Sequence, residues 1–265
     1  MFSTFMLHAW IVATMVAVVA GAVGFFVVAR RAAFAAHALP LGAFPGAAAA
    51  ALLGVNELLG LAVFCALGVV AISQLQRAER SEVASALWLA LSLAVGTLLL
   101  SLSGAYAESL YGLLFGAVLG ISTQQLLGVA VLSALALALV ALFARPLLLE
   151  SLSGDLAAAA LGRSGRLELV FLGILALSTT MAVPVVGALL VFSLMVGPAS
   201  AARAFTDQPW RSLGVSVVLA VGTVWAALAL SYLTEWPVGF FVGALGAACY
   251  VAGRLRGADG VAQAA

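Results

Sequence analysis

The chain has 265 residues, of which 65% are hydrophobic and only 8% charged, and its mean hydropathy is +1.25. A soluble domain carries about 25% charged residues, so a water-soluble fold of this size is excluded and the solvent must be lipid. The formal net charge of +1 argues against nucleic acid or an acidic soluble partner as the main ligand.

A helix needs about twenty apolar residues to cross the hydrocarbon, and only helices or closed barrels satisfy every backbone group there. The apolar runs are long, rich in Ala, Leu and Val, and free of period-2 alternation, which selects helices. The first run covers 7–29. It has no basic region before it and is too long for a signal segment, so it reads as a retained span. The second covers 32–54 and holds His37 together with Pro40, Gly42, Pro45 and Gly46. Runs at 58–75 and 83–103 follow, then a piece at 110–121 that is too short to cross alone, then 123–144.

Arg145 to Arg166 forms the longest polar connection. Within it Asp155 can cap a short helix that Gly162 can stop. Further runs lie at 167–182, 184–204, 212–234 and 237–253, with Val183-Pro184 able to be either a kink or a turn. The expected fold is all-α: one polytopic transmembrane domain over 1–256 with eight or nine spans, a short cytoplasmic helix at 155–162, and a disordered cytoplasmic tail at 257–265.

All eleven basic residues are Arg. Arg30, Arg31, Arg77, Arg80, Arg145, Arg163, Arg166, Arg203, Arg211, Arg254 and Arg256 fall in alternate connections, whereas the opposite ones carry Glu57, Glu108 and Glu235. This positive-inside pattern predicts a multi-pass plasma-membrane protein with its N-terminus outside and its C-terminus cytoplasmic. Trp210 and Trp236 fit the aromatic belt at the membrane surface.

The sequence holds no catalytic constellation. Neither His8 nor His37 has a nucleophile or carboxylate at useful helical spacing, and a P-loop is impossible without Lys. Cys65 and Cys249 sit in apolar runs and read as small buried hydrophobes. His37 is the ionisable residue placed inside a span rather than at its end, which makes it a candidate soft metal ligand or proton switch. The plainer alternative is a lone imidazole bonded to a neighbouring hydroxyl or carbonyl. The Pro and Gly cluster around it predicts a kinked or locally unwound helix. Freed carbonyls at membrane depth are tolerated where they line a cavity or are buried in protein, so this segment lines a pathway or serves packing alone. Gly42/Gly46, Gly116/Gly120 and Gly239/Gly243 are small-xxx-small pairs that allow close helix approach.

Several stretches resemble the metal-type ABC importer permeases, the ABC-3 family of zinc, manganese and iron(II) permeases. They are Val27 to Gly46 with its Arg pair, His37 and Leu-Pro-Leu-Gly; Leu114-Phe-Gly-Ala-Val-Leu-Gly-Ile-Ser122; Val185-Val-Gly-Ala-Leu-Leu-Val-Phe-Ser-Leu-Met-Val-Gly-Pro-Ala-Ser-Ala-Ala-Arg203; and Ser231-Tyr-Leu-Thr-Glu-Trp-Pro-Val-Gly239. The resemblance implies a homodimeric permease with no enzymatic activity and no cofactor of its own. ATP would be used by a separate cytoplasmic ATPase subunit, and an extracytoplasmic solute-binding protein would deliver the cargo. It also implies that Asp155, Leu156, Ala159 and Gly162 belong to the helix that couples to the ATPase. His37, Pro40, Leu41, Gly42, Pro45 and Gly46 would lie on the translocation pathway. One departure stands out. The family's pathway Asp aligns with His37 and its His with Leu41, leaving one imidazole where a carboxylate–imidazole pair is the pattern. The resemblance implies a transition metal ion or a metal complex as cargo, and this departure leaves the choice between them open. An ion-coupled secondary transporter is the alternative, but it would need buried carboxylates or an inverted repeat. A non-transporting scaffold would leave the Pro/Gly-rich second run without a role.

Overall fold

The computed structural model describes residues 4–75, 81–103, 112, 114–116, 122–152 and 166–262. Its elements are α1 (Thr4–Ala29), α2 (Ala33–Gly42), α3 (Phe44–Leu53), α4 (Glu57–Leu75), α5 (Ser81–Ser103), α6 (Thr123–Leu152), α7 (Arg166–Val186), α8 (Ala188–Phe205), α9 (Pro209–Thr234) and α10 (Val238–Ala262). Among the described residues there are nine stretches long and apolar enough to cross a membrane, with α2 and α3 forming one of them.

Helix α1 is the axis of the bundle. Val12, Val16, Val19, Ala20, Val23 and Val27 are fully buried on it, and it packs on α6, α7, α8 and α9. Lipid tails are as apolar as these side chains, so association rests on close packing rather than on the hydrophobic effect. The Cβ that Gly24 lacks would overlap the Met195 carbonyl of α8, so hydrogen is the one side chain this crossing admits. A second tie is polar: Ser216 Oγ on α9 donates to the Gly21 carbonyl at 2.7 Å. Helices α3, α4 and α5 form a second group, joined to the axis through α2 and through contact of α4 with α7. Helices α4, α5 and α6 expose long rows of Leu and Val, including Leu59, Val63, Val70, Leu91, Leu98, Leu127 and Val131. In a membrane protein this is the lipid-facing surface.

The structure departs from the sequence reading in three places. First, α6 continues through Arg145 and Pro146 to Leu152, where the sequence suggested that a polar connection begins at Arg145. Leu147 and Leu148 are buried and Glu150 is ion-paired, so tertiary contacts hold the extra turns. Second, α10 continues to Ala262, past Gly257, where a disordered tail was expected. Elongating an existing helix needs no new nucleus. Third, Pro184 lies inside α7, in line with the kink rather than the turn left open there, and the break between the two runs falls three residues on, at Gly187, with φ 94°. Gly116 (φ 77°) stands against it: a Cβ on Gly116 would lie 2.5 Å from the Val185 carbonyl oxygen. Both positions need a left-handed backbone and bare hydrogen at once. Whether 110–121 crosses the membrane falls mostly outside the described residues, as does the predicted helix at 155–162.

Helix α1 ends in a Schellman motif. Ala32 N–H donates to the Val27 carbonyl at 2.9 Å, and Arg31 N–H to the Val28 carbonyl at 3.2 Å. Arg31 occupies the left-handed position at φ 57°, where Gly is the usual occupant. Arg203 Nη1 from the end of α8 also donates to the Val28 carbonyl, at 3.3 Å. This cap turns the chain directly into α2.

Candidate translocation segment

The second span is broken in two, as its prolines predict. Pro40 and Pro45 have no N–H to donate, so the carbonyls of Ala36 and Leu41 lose their helical partners. The chain bridges the gap tightly. Ala43 keeps αR geometry (φ −79°, ψ −16°), its N–H donates to the Leu39 carbonyl at 3.0 Å, and Gly46 N–H donates to the Ala43 carbonyl at 2.9 Å. The segment is kinked rather than unwound.

Its residues divide by environment. Pro40, Leu41, Gly42, Pro45 and Gly46 are buried within the chain, and His37 is the one of the six that keeps partial exposure. Gly42 faces the Trp88 indole of α5: a Cβ there would overlap Nε1 and sit 2.9 Å from Cδ1. Gly46 meets Gly60 of α4 backbone to backbone, each occupying the space of the other's absent Cβ. Both glycines of this small-xxx-small pair are thus helix-crossing points. Gly239 and Gly243 likewise receive Leu190 of α8.

The His37 ring packs edge-on against Phe192 of α8, with centroids 5.1 Å apart, and its buried Nδ1 has no hydrogen-bond partner among the described residues. An imidazole nitrogen in that state can accept a metal or a proton. Among the described residues no three His, Cys, Asp or Glu side chains gather into a metal-binding group. Within the described residues, one copy of the chain therefore offers a single imidazole at this segment, not a closed site.

Two polar features escaped the sequence reading. Ser178, Thr179 and Thr180 are fully buried in α7, and Thr179 Oγ1 has no partner among the described residues. The signal for them was three consecutive hydroxyls within an apolar run. Trp88 Nε1 is buried and equally without an acceptor; nothing in the linear sequence linked it to Gly42. The residues read as the coupling helix, Asp155, Leu156, Ala159 and Gly162, lie outside the described residues.

A bundle of this kind, with lipid-facing rows around a kinked, partly buried span, defines a polytopic membrane transport protein. The chain belongs to the ABC 3 transport family, whose description matches residues 2–256. It is 27% identical over 237 residues to the manganese import system permease protein ScaB of Streptococcus parasanguinis, covering 89% of this chain and 84% of that protein. It is 30% identical over 224 residues to the ScaB protein of Streptococcus pneumoniae, covering 80% and 76%. In fold it matches a chain of PsaBC from Streptococcus pneumoniae in complex with Fab, with a TM-score of 0.84 at 24% identity, over 95% of this chain and 91% of that one. The protein is thus a multi-pass ABC permease. A family of transport permeases implies a separate ATPase subunit and a binding-protein partner.

Proposed function

We propose that this chain is the membrane-spanning subunit of a transition-metal importer in the plasma membrane. Two copies pair over two cytoplasmic ATPase subunits, the Arg-bearing ends face the cytoplasm, and an extracytoplasmic binding protein delivers the cargo. The observation that carries this reading is the family match over nearly the whole chain, together with relatives named as manganese import permeases. The permease lowers no chemical barrier. It alternates access, and ATP binding in the partner biases the two states. The chain needs no cofactor of its own for this.

His37 is the residue we assign to cargo. Two symmetry-related imidazoles facing each other would form a two-nitrogen constriction, with carbonyls and water completing the shell of a passing ion. Pro40 and Pro45 set the kink that orients it, with Leu41 on the pathway beside it. Asp155, Leu156, Ala159 and Gly162 form the segment that docks into the ATPase. A second reading, passage of a metal complex, is favoured by one feature: no acidic residue stands between Arg31 and Glu57, and hard cations want oxygen ligands.

The test is uptake into proteoliposomes containing the permease and its ATPase, with Mn2+, Zn2+ and Fe2+ supplied free or chelated on the binding-protein side. ATP-dependent accumulation of free ion that drops in H37A supports the assignment. Accumulation of chelate alone selects the second reading. Deleting 155–162 should abolish ATPase binding. Gradient-driven uptake with no ATPase present would sink the proposal.

A further inference from the structure

One charged cluster plays no part in the segment just described. Arg30 closes the central helix α1, and its side chain is only 8% exposed. Its two terminal nitrogens go to two different helices: Nη1 donates to Glu150 Oε2 at 2.6 Å, and Nη2 to Glu168 Oε2 at 2.5 Å. The Phe171 ring lies against the guanidinium, 4.8 Å from Cζ to centroid. Glu150 stands near the end of α6 and Glu168 near the start of α7. They flank the connection 153–165 on either side. One guanidinium therefore fastens both stems of that connection to the end of α1.

Electrostatics favour this arrangement over any looser one. A cation suits the C-terminus of α1 and an anion the N-terminus of α7. Glu150, near a helix C-terminus, has the wrong sign for its own dipole and depends on Arg30. Without Arg30 the two carboxylates would lose the one cation that pairs with both among the described residues, and like charges brought together repel. Arg, unlike Lys, can serve two carboxylates with separate nitrogens of one rigid plane.

The geometry points to Arg30 as a positioning residue for coupling, the link through which movement of the 153–165 stems is delivered to α1 and across the Arg31 cap into α2 and His37. The inference rests on the proposed docking of the ATPase at 155–162. The route is short and stiff. Arg30 immediately precedes Arg31, whose left-handed backbone forms the α1–α2 turn, and His37 lies within α2 beyond it. Val28, held by Arg203, anchors the same turn to α8.

The experiment uses the permease assembled with its ATPase in lipid nanodiscs. Cys65 and Cys249 are replaced by Ala, and H37C serves as a reporter. The measured quantity is the alkylation rate at position 37 in the vanadate-trapped state divided by the rate without nucleotide. It needs no knowledge of the cargo. With Arg30 present this ratio departs from one. R30M should assemble and hydrolyse ATP while the ratio collapses toward one, a loss of about tenfold in a typical coupling. R30K, holding one stem, should recover part of it. R30M/E150Q/E168Q should remain uncoupled, because repulsion is relieved but the tie is still missing.

An undiminished ratio in R30M, full recovery in the triple variant, or no nucleotide response at position 37 with Arg30 present would each overturn the inference. If R30M fails to fold, E150A and E168A each cut one arm, and an undiminished ratio in both has the same force. ATPase binding that survives deletion of 155–162 would instead refute the docking reading. A normal dependence on 155–162 combined with an R30M that couples normally would refute the role of Arg30 alone.

Discussion

The contact between Gly42 and Trp88 yields the sharpest test of why the second span carries its glycines. Gly42→Ala would place a methyl carbon 2.9 Å from Trp88 Cδ1 and closer still to Nε1, where ordinary contact begins at 3.4 Å. The indole edge is seated between two glycines, since the same Nε1 and Cε2 atoms also lie 2.9 Å from where a Cβ on Gly68 would stand, and it cannot slide toward α4 to make room. Overpacking of this kind costs about 1–3 kcal/mol. Ala in place of Gly within a helix returns up to about 1 kcal/mol. With that gain set against the cost, G42A alone should destabilise by about 0–2 kcal/mol. Trp88→Leu removes the obstacle, and since Trp88 Nε1 has no acceptor among the described residues, no hydrogen bond is lost with it. In the W88L background the same Gly42→Ala change should be neutral or stabilising. The reversal of sign gives a coupling energy of about 1–3 kcal/mol in a double-mutant cycle. It is read from reversible denaturation of the purified protein in mixed micelles, with ATP-driven uptake measured in parallel. Simple additivity would refute the steric account. Normal stability with lost transport in G42A/W88L would mean that Gly42 is needed for the pathway itself.

Three further outcomes follow from the same structure. Ser216→Ala removes the hydroxyl that joins α9 to the Gly21 carbonyl, and the loss in mixed-micelle denaturation should be about 0.6 kcal/mol, the mean for interhelical bonds in membranes. Gly187→Ala forces a side chain into a left-handed backbone at φ 94° and into the chain at Phe115, so thermal stability should fall by at least about 1–3 kcal/mol, several times the Ser216 effect. Single cysteines at Asn56 and Glu235 should react with impermeant reagents from outside the cell, and cysteines at Arg77 and Arg211 only after permeabilisation. Labelling of Arg77 and Glu108 positions from one side would overturn the assigned topology.

The helices were legible in the sequence and their mutual geometry was not, and the reason is physical. Hydrocarbon thickness imposes a minimum apolar length on every crossing, so each span from 7–29 to 237–253 overlaps an observed helix. The kink in the second span was equally local, since Pro40 and Pro45 announce the loss of their own N–H groups. Hydropathy reports only the boundary between helix and lipid. It does not say which faces meet, because the forces between helices in a bilayer are individual contacts of shape and polarity. Gly42 and Trp88 meet across the α2–α5 contact, and Gly46 and Gly60 form one crossing between two spans. The ion pairs of Arg30 reach 120 and 138 residues along the chain. Among the boundaries that hydropathy misplaced, the end of α6 makes the same point. Arg145-Pro146 ends the apolar run, and a reading by lipid solubility stops the helix there. The structure carries the helix to Leu152, since burial of Leu147 and Leu148 and the bond of Glu150 to Arg30 are supplied by other helices. The part of α6 invisible to hydropathy is the part that holds a partner of Arg30, which is why the cluster had to be found in three dimensions.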